Sequence, residues 1–442
     1  MDETHNHTGQ GGIKRKPTNV RWILLSIVYL TCLVAYLDRV NLSVCGPAIM
    51  EHFGFDKVQL GLTMSAFFAA YMLLQIPGGM MSERFGLRIT GTGAMLWWSV
   101  FTIFTPLAWG FGSFLVIRAL FGAGEAPLFP NNGSFLAKWF SVREKAVSSS
   151  LMVSGAFIGP ALGPPVTVFI MVNWGWQVVF YLYGVAGVVM ALLWWIFSRD
   201  YPHLHPAVNQ EEVEHITGRS LDEAKAVSTY EQAPWKRFLS SPQFWCLGFQ
   251  YCIANYIMYL FLSWLPIYLM EARGLSLKAM GIAAAYPWIA MCVALVSSGI
   301  ISDRLVQSGC SRFLARTVMA VVGLVLCGIG LYKGANALTP SDNILWMSVS
   351  LGCLGFTYTA AWASCQDLGQ KFGGSVVAWM NTWANIGGLL APTVTALLVQ
   401  AFGWQTALTM TSIIIGIGVV SWLFVKPDRA LHADAQTVLQ PS

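Results

Sequence analysis

The sequence predicts an all-α integral membrane protein of twelve transmembrane helices in two pseudo-symmetric six-helix bundles. Three observations carry this reading. Of 442 residues, 55% are hydrophobic and only 11% are charged, against about 25% charged in soluble domains; the mean hydropathy is +0.57. Several apolar runs exceed the roughly 18 residues that a helix needs to cross a bilayer. They are continuous rather than alternating, which excludes a β-barrel. Finally, two strings recur at equivalent places. Gly79-Met80-Met81-Ser82-Glu83-Arg84-Phe85 is echoed by Gly299-Ile300-Ile301-Ser302-Asp303-Arg304-Leu305, and Gly175-Trp176-Gln177 by Gly403-Trp404-Gln405. A parallel duplication of this kind fits two halves that rock about a midplane site.

Taken in order, residues 1–19 form a polar tail with Lys14, Arg15 and Lys16 and no cleavable signal peptide. The first bundle, 20–197, holds helices near 20–48, 58–80, 88–110, 113–137, 146–171 and 176–197. Helix two closes on Pro77-Gly78-Gly79, and helix six opens on Gly175-Trp176. A connector, 198–240, is rich in Glu, His and Lys and punctuated by Pro202, Pro206 and Pro234. The second bundle, 241–426, repeats the count near 241–271, 279–302, 313–333, 343–367, 375–399 and 404–425, before a tail at 427–442. Lys and Arg concentrate on one set of loops, including Arg84, Arg88, Arg143, Arg219, Lys225, Arg304, Arg312, Lys371 and Lys426. The other set holds only Lys57, Arg273, Lys278 and Lys333. The positive-inside bias puts both termini in the cytoplasm.

Composition also narrows function. The formal charge of +5 is scattered over loops and makes no nucleic-acid patch. The nine cysteines lie mostly in apolar runs without metal spacing, so no metal site is expected. A membrane-embedded transferase would need an interfacial His/Asp or paired-acid constellation. All seven histidines fall in tails or loops and no span holds an acid pair, so no catalytic residue is expected.

What the spans do hold is four stranded charges. Asp38 and Arg39 lie inside the first apolar segment, and Arg118 and Glu125 inside the fourth. Each costs roughly 2.5–3.5 kcal/mol on insertion scales, an expense that marks functional sites. Tyr36, Arg39 and Ser43 share a face of helix one, with Asp38 rotated about 100° away. Arg118, Gly122, Glu125, Phe129 and Asn132 form one stripe of helix four. Two cations and two carboxylates sum to zero, which suits a low dielectric. Arg39 is expected to bind a carboxylate bidentately, and Arg118 to position the acids. Desolvation favours neutral carboxyls, so Asp38 and Glu125 are expected to carry the protons.

On the basic side, small residues and an acid–base pair in Gly79, Glu83, Arg84 and Arg88, echoed by Asp303 and Arg304, suggest a cytoplasmic latch that holds the halves in an outward-facing state. This loop with the six-plus-six layout resembles the major facilitator superfamily. A closer resemblance rests on Tyr36-Leu37-Asp38-Arg39-Val40-Asn41-Leu42-Ser43 and Arg118-Ala119-Leu120-Phe121-Gly122-Ala123-Gly124-Glu125-Ala126-Pro127. Lys138-Trp139-Phe140, Glu144-Lys145-Ala146 and Asn385-Ile386-Gly387-Gly388 add to it. These strings are similar to the anion:cation symporter family of bacterial sugar-acid/H⁺ symporters and vesicular glutamate and sialic acid carriers.

The resemblance implies a secondary active symporter that imports a small organic anion with protons. The cargo is expected to be a sugar acid of the aldonate, aldarate or hexuronate type. It implies the lipid bilayer as setting, a bacterial inner membrane as location, the proton as coupling ion with no other cofactor, and a monomer without an obligate protein partner. Tyr36, Tyr71, Asn385, Asn381, Ser364 and Trp362 join Arg39 as expected substrate contacts, with charge from the first half and hydroxyl recognition from the second. One departure stands out: sugar-acid members tend to place a polar residue midway along helix five, where this chain has Ser154-Gly155-Ala156-Phe157. That keeps a less hydroxylated or aromatic acid in contention; a dicarboxylic acid as cargo and an organic-anion or drug exchanger on the same scaffold are further alternatives.

Overall fold

A computed structural model describes residues 16–141, 144–217, 234–429 and 431. Most of the amino-terminal tail, Arg143, the connector around Arg219 and Lys225, and the tail after 431 lie outside the described residues. Among those described, every regular element is helical.

Ten stretches are long and apolar enough to cross a membrane. The last, Ser375–Leu423, has 49 residues, about twice what one bilayer crossing needs. Gly403 (φ 76°, ψ 168°) divides it into helices eleven and twelve. Helix three, Leu87–Phe104 (18 residues), completes the twelve. The others are helix one Val20–Val44, two Lys57–Phe85, four Phe111–Glu125 continued by Leu128–Trp139, five Lys145–Trp174 and six Trp176–Phe197. In the second half, seven is Pro242–Glu271, eight Leu277–Ala283 continued by Ala285–Gln307, nine Phe313–Val318 continued by Met319–Ala335, and ten Pro340–Gly369. This is the multi-pass, two-bundle architecture that the hydropathy predicts.

The differences from the expected bounds have local causes. Helix one stops at Val44, and a short helix, Gly46–Phe53, starts on Pro47 instead of continuing to residue 48. Helix three ends at Phe104 because Pro106 turns the chain into a 3₁₀ segment, Thr105–Leu107. Helix four is divided at Ala126-Pro127, but both residues keep right-handed helical backbone angles and the expected stripe continues across them: Glu125, Phe129 (6.4 Å from the Tyr36 ring) and Asn132 (Nδ2 donating to Cys32 Sγ at 3.5 Å) all meet helix one. In the connector, Gln210–Thr217 folds as a helix.

Close packing sets the position of helix one. Bilayer helices associate chiefly by van der Waals contact, so small residues mark their crossings. A side chain at Gly155 would meet the Tyr29 carbonyl at 2.6 Å, and one at Gly159 would meet the Leu33 carbonyl at 2.9 Å and Tyr36 Cβ at 2.7 Å. Gly163 continues the stripe against Val40. Helix five therefore seats Tyr36, and with it Arg39, at a fixed depth.

The halves meet most closely at the end away from the described tail residues. There Lys57 Nζ lies 3.2 Å from Glu271 Oε2, an ion pair from helix two to helix seven. Ser65 Oγ donates to the Leu389 carbonyl at 2.7 Å, and Gly61 fits against Pro392. At the basic end, ion pairs among the described residues stay within one half. Arg21 joins Glu144 (3.0 Å) and Glu212 (2.8 Å), and Arg316 joins Asp303 (3.5 Å) and Asp367 (3.4 Å).

Candidate functional site

The four charges of the first half converge in the middle of its bundle. Arg39 and Arg118 are 6% and 3% exposed, and Asp38 and Glu125 are fully buried. Arg39 and Glu125 form a direct pair: Nε donates to Glu125 Oε1 at 2.8 Å, and Nη2 lies 2.6 Å from the same oxygen. The guanidinium is boxed by the rings of Tyr36 (4.6 Å), Tyr71 (4.9 Å) and Phe67 (5.0 Å). Such desolvated cation–π contacts contribute about 2 kcal/mol. Nη1 donates to the Tyr259 hydroxyl at 3.3 Å, reaching helix seven in the other half.

In this conformation the carboxylate that Arg39 holds is Glu125, and both side chains are buried. A guanidinium at this depth without an anion needs a counter-ion, and Glu125 is the one in reach. One carboxylate oxygen takes both contacts, leaving Glu125 Oε2 without a hydrogen bond.

Asp38 points elsewhere, as its rotation on helix one requires. Asn41 Nδ2 donates to its Oδ1 at 3.4 Å, Oδ2 is unbonded, and Thr102 of helix three and Arg118 are neighbours. Arg118 makes no ion pair among the described residues. Its guanidinium lies 4.4 Å from the Phe121 ring, and its Nε and Nη1 lack hydrogen-bond partners. It therefore neutralises both acids through space without fixing either by a bond.

The neutral candidates divide. Asn385 Nδ2 donates to Gln75 Oε1 at 2.7 Å, a bond across the halves one turn from Tyr71. Asn381 is half-buried on the same helix face. Trp362 is 39% exposed, and its Nε1 donates to the Tyr251 hydroxyl at 3.0 Å. Ser364 does not join this group. It lies on the face of helix ten that carries Thr357, whose hydroxyl bonds the Ala320 carbonyl of helix nine. Two residues apart on a helix, Trp362 and Ser364 point about 200° apart.

Two aromatic residues of the second half stand beside these groups. Tyr259 supplies the cross-half bond to Arg39 and packs on Phe68 at 4.4 Å. Tyr358 donates to Asn255 Oδ1 at 2.8 Å and meets Phe157 of helix five edge-on at 6.1 Å. Tyr259 shares a helical face with Tyr251 and Asn255, a periodicity visible in the sequence; nothing local distinguishes Tyr358.

The latch strings pack within their own halves. Arg88 Nε donates to the Trp195 carbonyl at 2.7 Å, and its backbone N–H to Asp200 at 3.0 Å. Gly79 faces Pro130. Asp303 pairs with Arg316, while Glu83, Arg84 and Arg304 are exposed. The expected outward-state bridge between the halves is not formed here.

The sequence pattern of the Major Facilitator Superfamily matches residues 28–392. The chain belongs to that superfamily. It is accordingly a transporter rather than an enzyme, and its relatives agree. It is 30% identical to the probable galactarate/D-glucarate transporter GarP of Escherichia coli strain K12, over 94% of this chain and 96% of that protein. Against the probable sulfoacetate transporter SauU of Cupriavidus necator the identity is 30%, over 92% and 94%. Against the chloroplastic ascorbate transporter of Arabidopsis thaliana it is 29%, over 93% and 76%. Among solved structures, a bacterial homologue of the human lysosomal transporter Spinster, inward-facing and unoccupied, superposes with a TM-score of 0.76 at 18% identity. That match covers 94% of this chain and all of the other, and supports the fold.

Proposed function

We propose that this superfamily transporter is a proton-coupled symporter that imports a small organic anion, of the sugar-acid class, by alternating access. The observation that carries the reading is the buried Arg39–Glu125 pair, in which one carboxylate oxygen holds the guanidinium and the other is unbonded. Protonating Glu125 removes the charge that competes with an incoming carboxylate for Arg39. The anion then takes the guanidinium fork, for which a carboxylate is the matching shape. Asp38, beside Arg118, takes the second proton.

Net charge at the site stays near zero at each step, which a low dielectric requires. Two protons with one monovalent anion carry one positive charge inward, worth about 2.3 kcal/mol per 100 mV. The relatives named for galactarate/D-glucarate, D-galactonate and sulfoacetate support the anionic cargo. The Lys/Arg bias supports cytoplasmic termini, and the bacterial relatives support a bacterial inner membrane. The far end joined by Lys57–Glu271 is then periplasmic, and this conformation is closed to that side.

Uptake into proteoliposomes under an imposed inward proton gradient tests the reading. Accumulation of a sugar acid that collapses with the gradient, and is abolished in Glu125→Gln, is the expected result. Equal uptake with and without the gradient, or full accumulation by Glu125→Gln, overturns it.

A further inference from the structure

We infer that the site selects a ring-shaped carboxylate, a pyranuronate or an aromatic acid, over an open-chain polyol acid; this rests on the anion-importer reading. Nearest Arg39, the second half presents an aromatic wall. Tyr259 bonds the guanidinium and lies on Phe68 at 4.4 Å, and Tyr251 and Tyr358 stand 5.2 Å apart. Phe157 completes the wall from helix five, edge-on to Tyr358 at 6.1 Å and 89°. The Gly155 and Gly159 contacts with helix one keep Phe157 in place.

Asn255, Tyr251, Tyr358 and Trp362 bond one another. Asn255 donates to the Tyr251 carbonyl at 2.8 Å and accepts from the Tyr358 hydroxyl at 2.8 Å, so both ends of its amide are used. The Tyr251 hydroxyl accepts from Trp362 at 3.0 Å. Asn385 is bonded to Gln75, and Ser364 faces helix nine. An open-chain acid with a hydroxyl on every carbon would have to bury several without partners, each at a cost. A ring buries its polar groups at the rim and lays a flat C–H or π face on aromatic side chains, which favours stacked and edge contacts. Apolar walls discriminate against an added hydroxyl by up to about 100-fold.

Gluconate and glucuronate make a matched pair, since each has six carbons and one carboxylate and only the second closes into a ring. Binding is read as ligand-induced thermal stabilisation of the detergent-solubilised full chain, with 4-hydroxybenzoate as a third probe. This measurement needs no proton gradient, so failure of ring preference and failure of coupling are read separately. The expected result is half-maximal stabilisation by glucuronate or 4-hydroxybenzoate at least ~10-fold below gluconate. Whichever of the two is tighter identifies the ring chemistry.

Phe157→Gln, which supplies a hydrogen-bonding partner, should narrow that ratio toward one. Phe157→Leu keeps the side chain apolar, removes the ring, and should lower ring-acid affinity more than gluconate affinity. Gluconate binding as well as or better than the ring acids overturns the inference. So does an unchanged ratio in both variants, or stabilisation by none of the three acids.

Discussion

At the same depth in the membrane the two halves solve opposite problems. The first half strands four charges, Asp38, Arg39, Arg118 and Glu125, and balances them at zero net charge with one short pair and one unbonded guanidinium. The second half presents Tyr251, Asn255, Tyr259, Tyr358 and Trp362, all neutral and mostly bonded to each other. One side concentrates charge; the other presents aromatic rings. Near the charges, hydrogen bonds that join the two halves include Arg39–Tyr259 and Asn385–Gln75. Charge and shape are thus separable by mutation.

The largest break should come from the charged half. Arg39→Leu leaves Glu125 buried without its counter-ion and should cost about 3–5 kcal/mol, whereas Arg39→Leu with Glu125→Leu should recover most of that. Unfolding of the four species of this double-mutant cycle in detergent measures it; equal losses in the single and double variants would contradict the comparison.

Smaller losses are expected across the divide. Tyr358→Phe removes a hydroxyl shared between Asn255 Oδ1 and Met258 Sδ, and Tyr259→Phe the acceptor of the Arg39 bond; such bonds contribute about 0.5–1.5 kcal/mol in the neutral case and up to about 3 where the partner is charged. Tyr259→Phe should therefore be the more costly of the two. Smaller again is Lys57–Glu271, whose side chains are about one-third exposed and whose bond should contribute at most about 1 kcal/mol. Lys57→Glu should lower cross-linking between cysteines placed at the far ends of helices two and seven. The swap Lys57→Glu with Glu271→Lys should restore it.

The smallest effect concerns the basic end of the first half. Burial pushes the Glu144 carboxyl up, but hydrogen bonds from Arg21, His215 and Ser141 outweigh it and hold the group below the usual Glu value. A depressed carboxyl contributes stability that is present above its unfolded value and lost as pH falls through the folded one. Wild-type melting temperature should therefore drop on acidification below the ordinary Glu range, and Glu144→Gln should flatten that part of the curve.

Most of this comparison was legible in the sequence, for reasons that differ by residue. Asp38, Arg39, Arg118 and Glu125 announced themselves because charge in an apolar run is costly wherever it folds. The twelve spans were legible because hydrocarbon thickness sets their length. Partners were less so: that Glu125 holds Arg39 depends on the crossing of helices one and four, which periodicity along either helix cannot report. The Gly155, Gly159 and Gly163 stripe is a readable signal for the helix one–five crossing, visible at four-residue spacing. Ser364 misled because polarity alone does not say which neighbour a helix face meets, whereas the stripe of Glu125, Phe129 and Asn132 held across Pro127 against helix one.

The one-residue joints at Gly175 (φ 89°, ψ 163°) and Gly403 (φ 76°, ψ 168°) occupy a backbone region open essentially to glycine alone. A link that short carries no spare chain, so helices five and six, and likewise eleven and twelve, must swing as hairpins. Any pivoting of one half against the other has to find its play at other seams of the molecule.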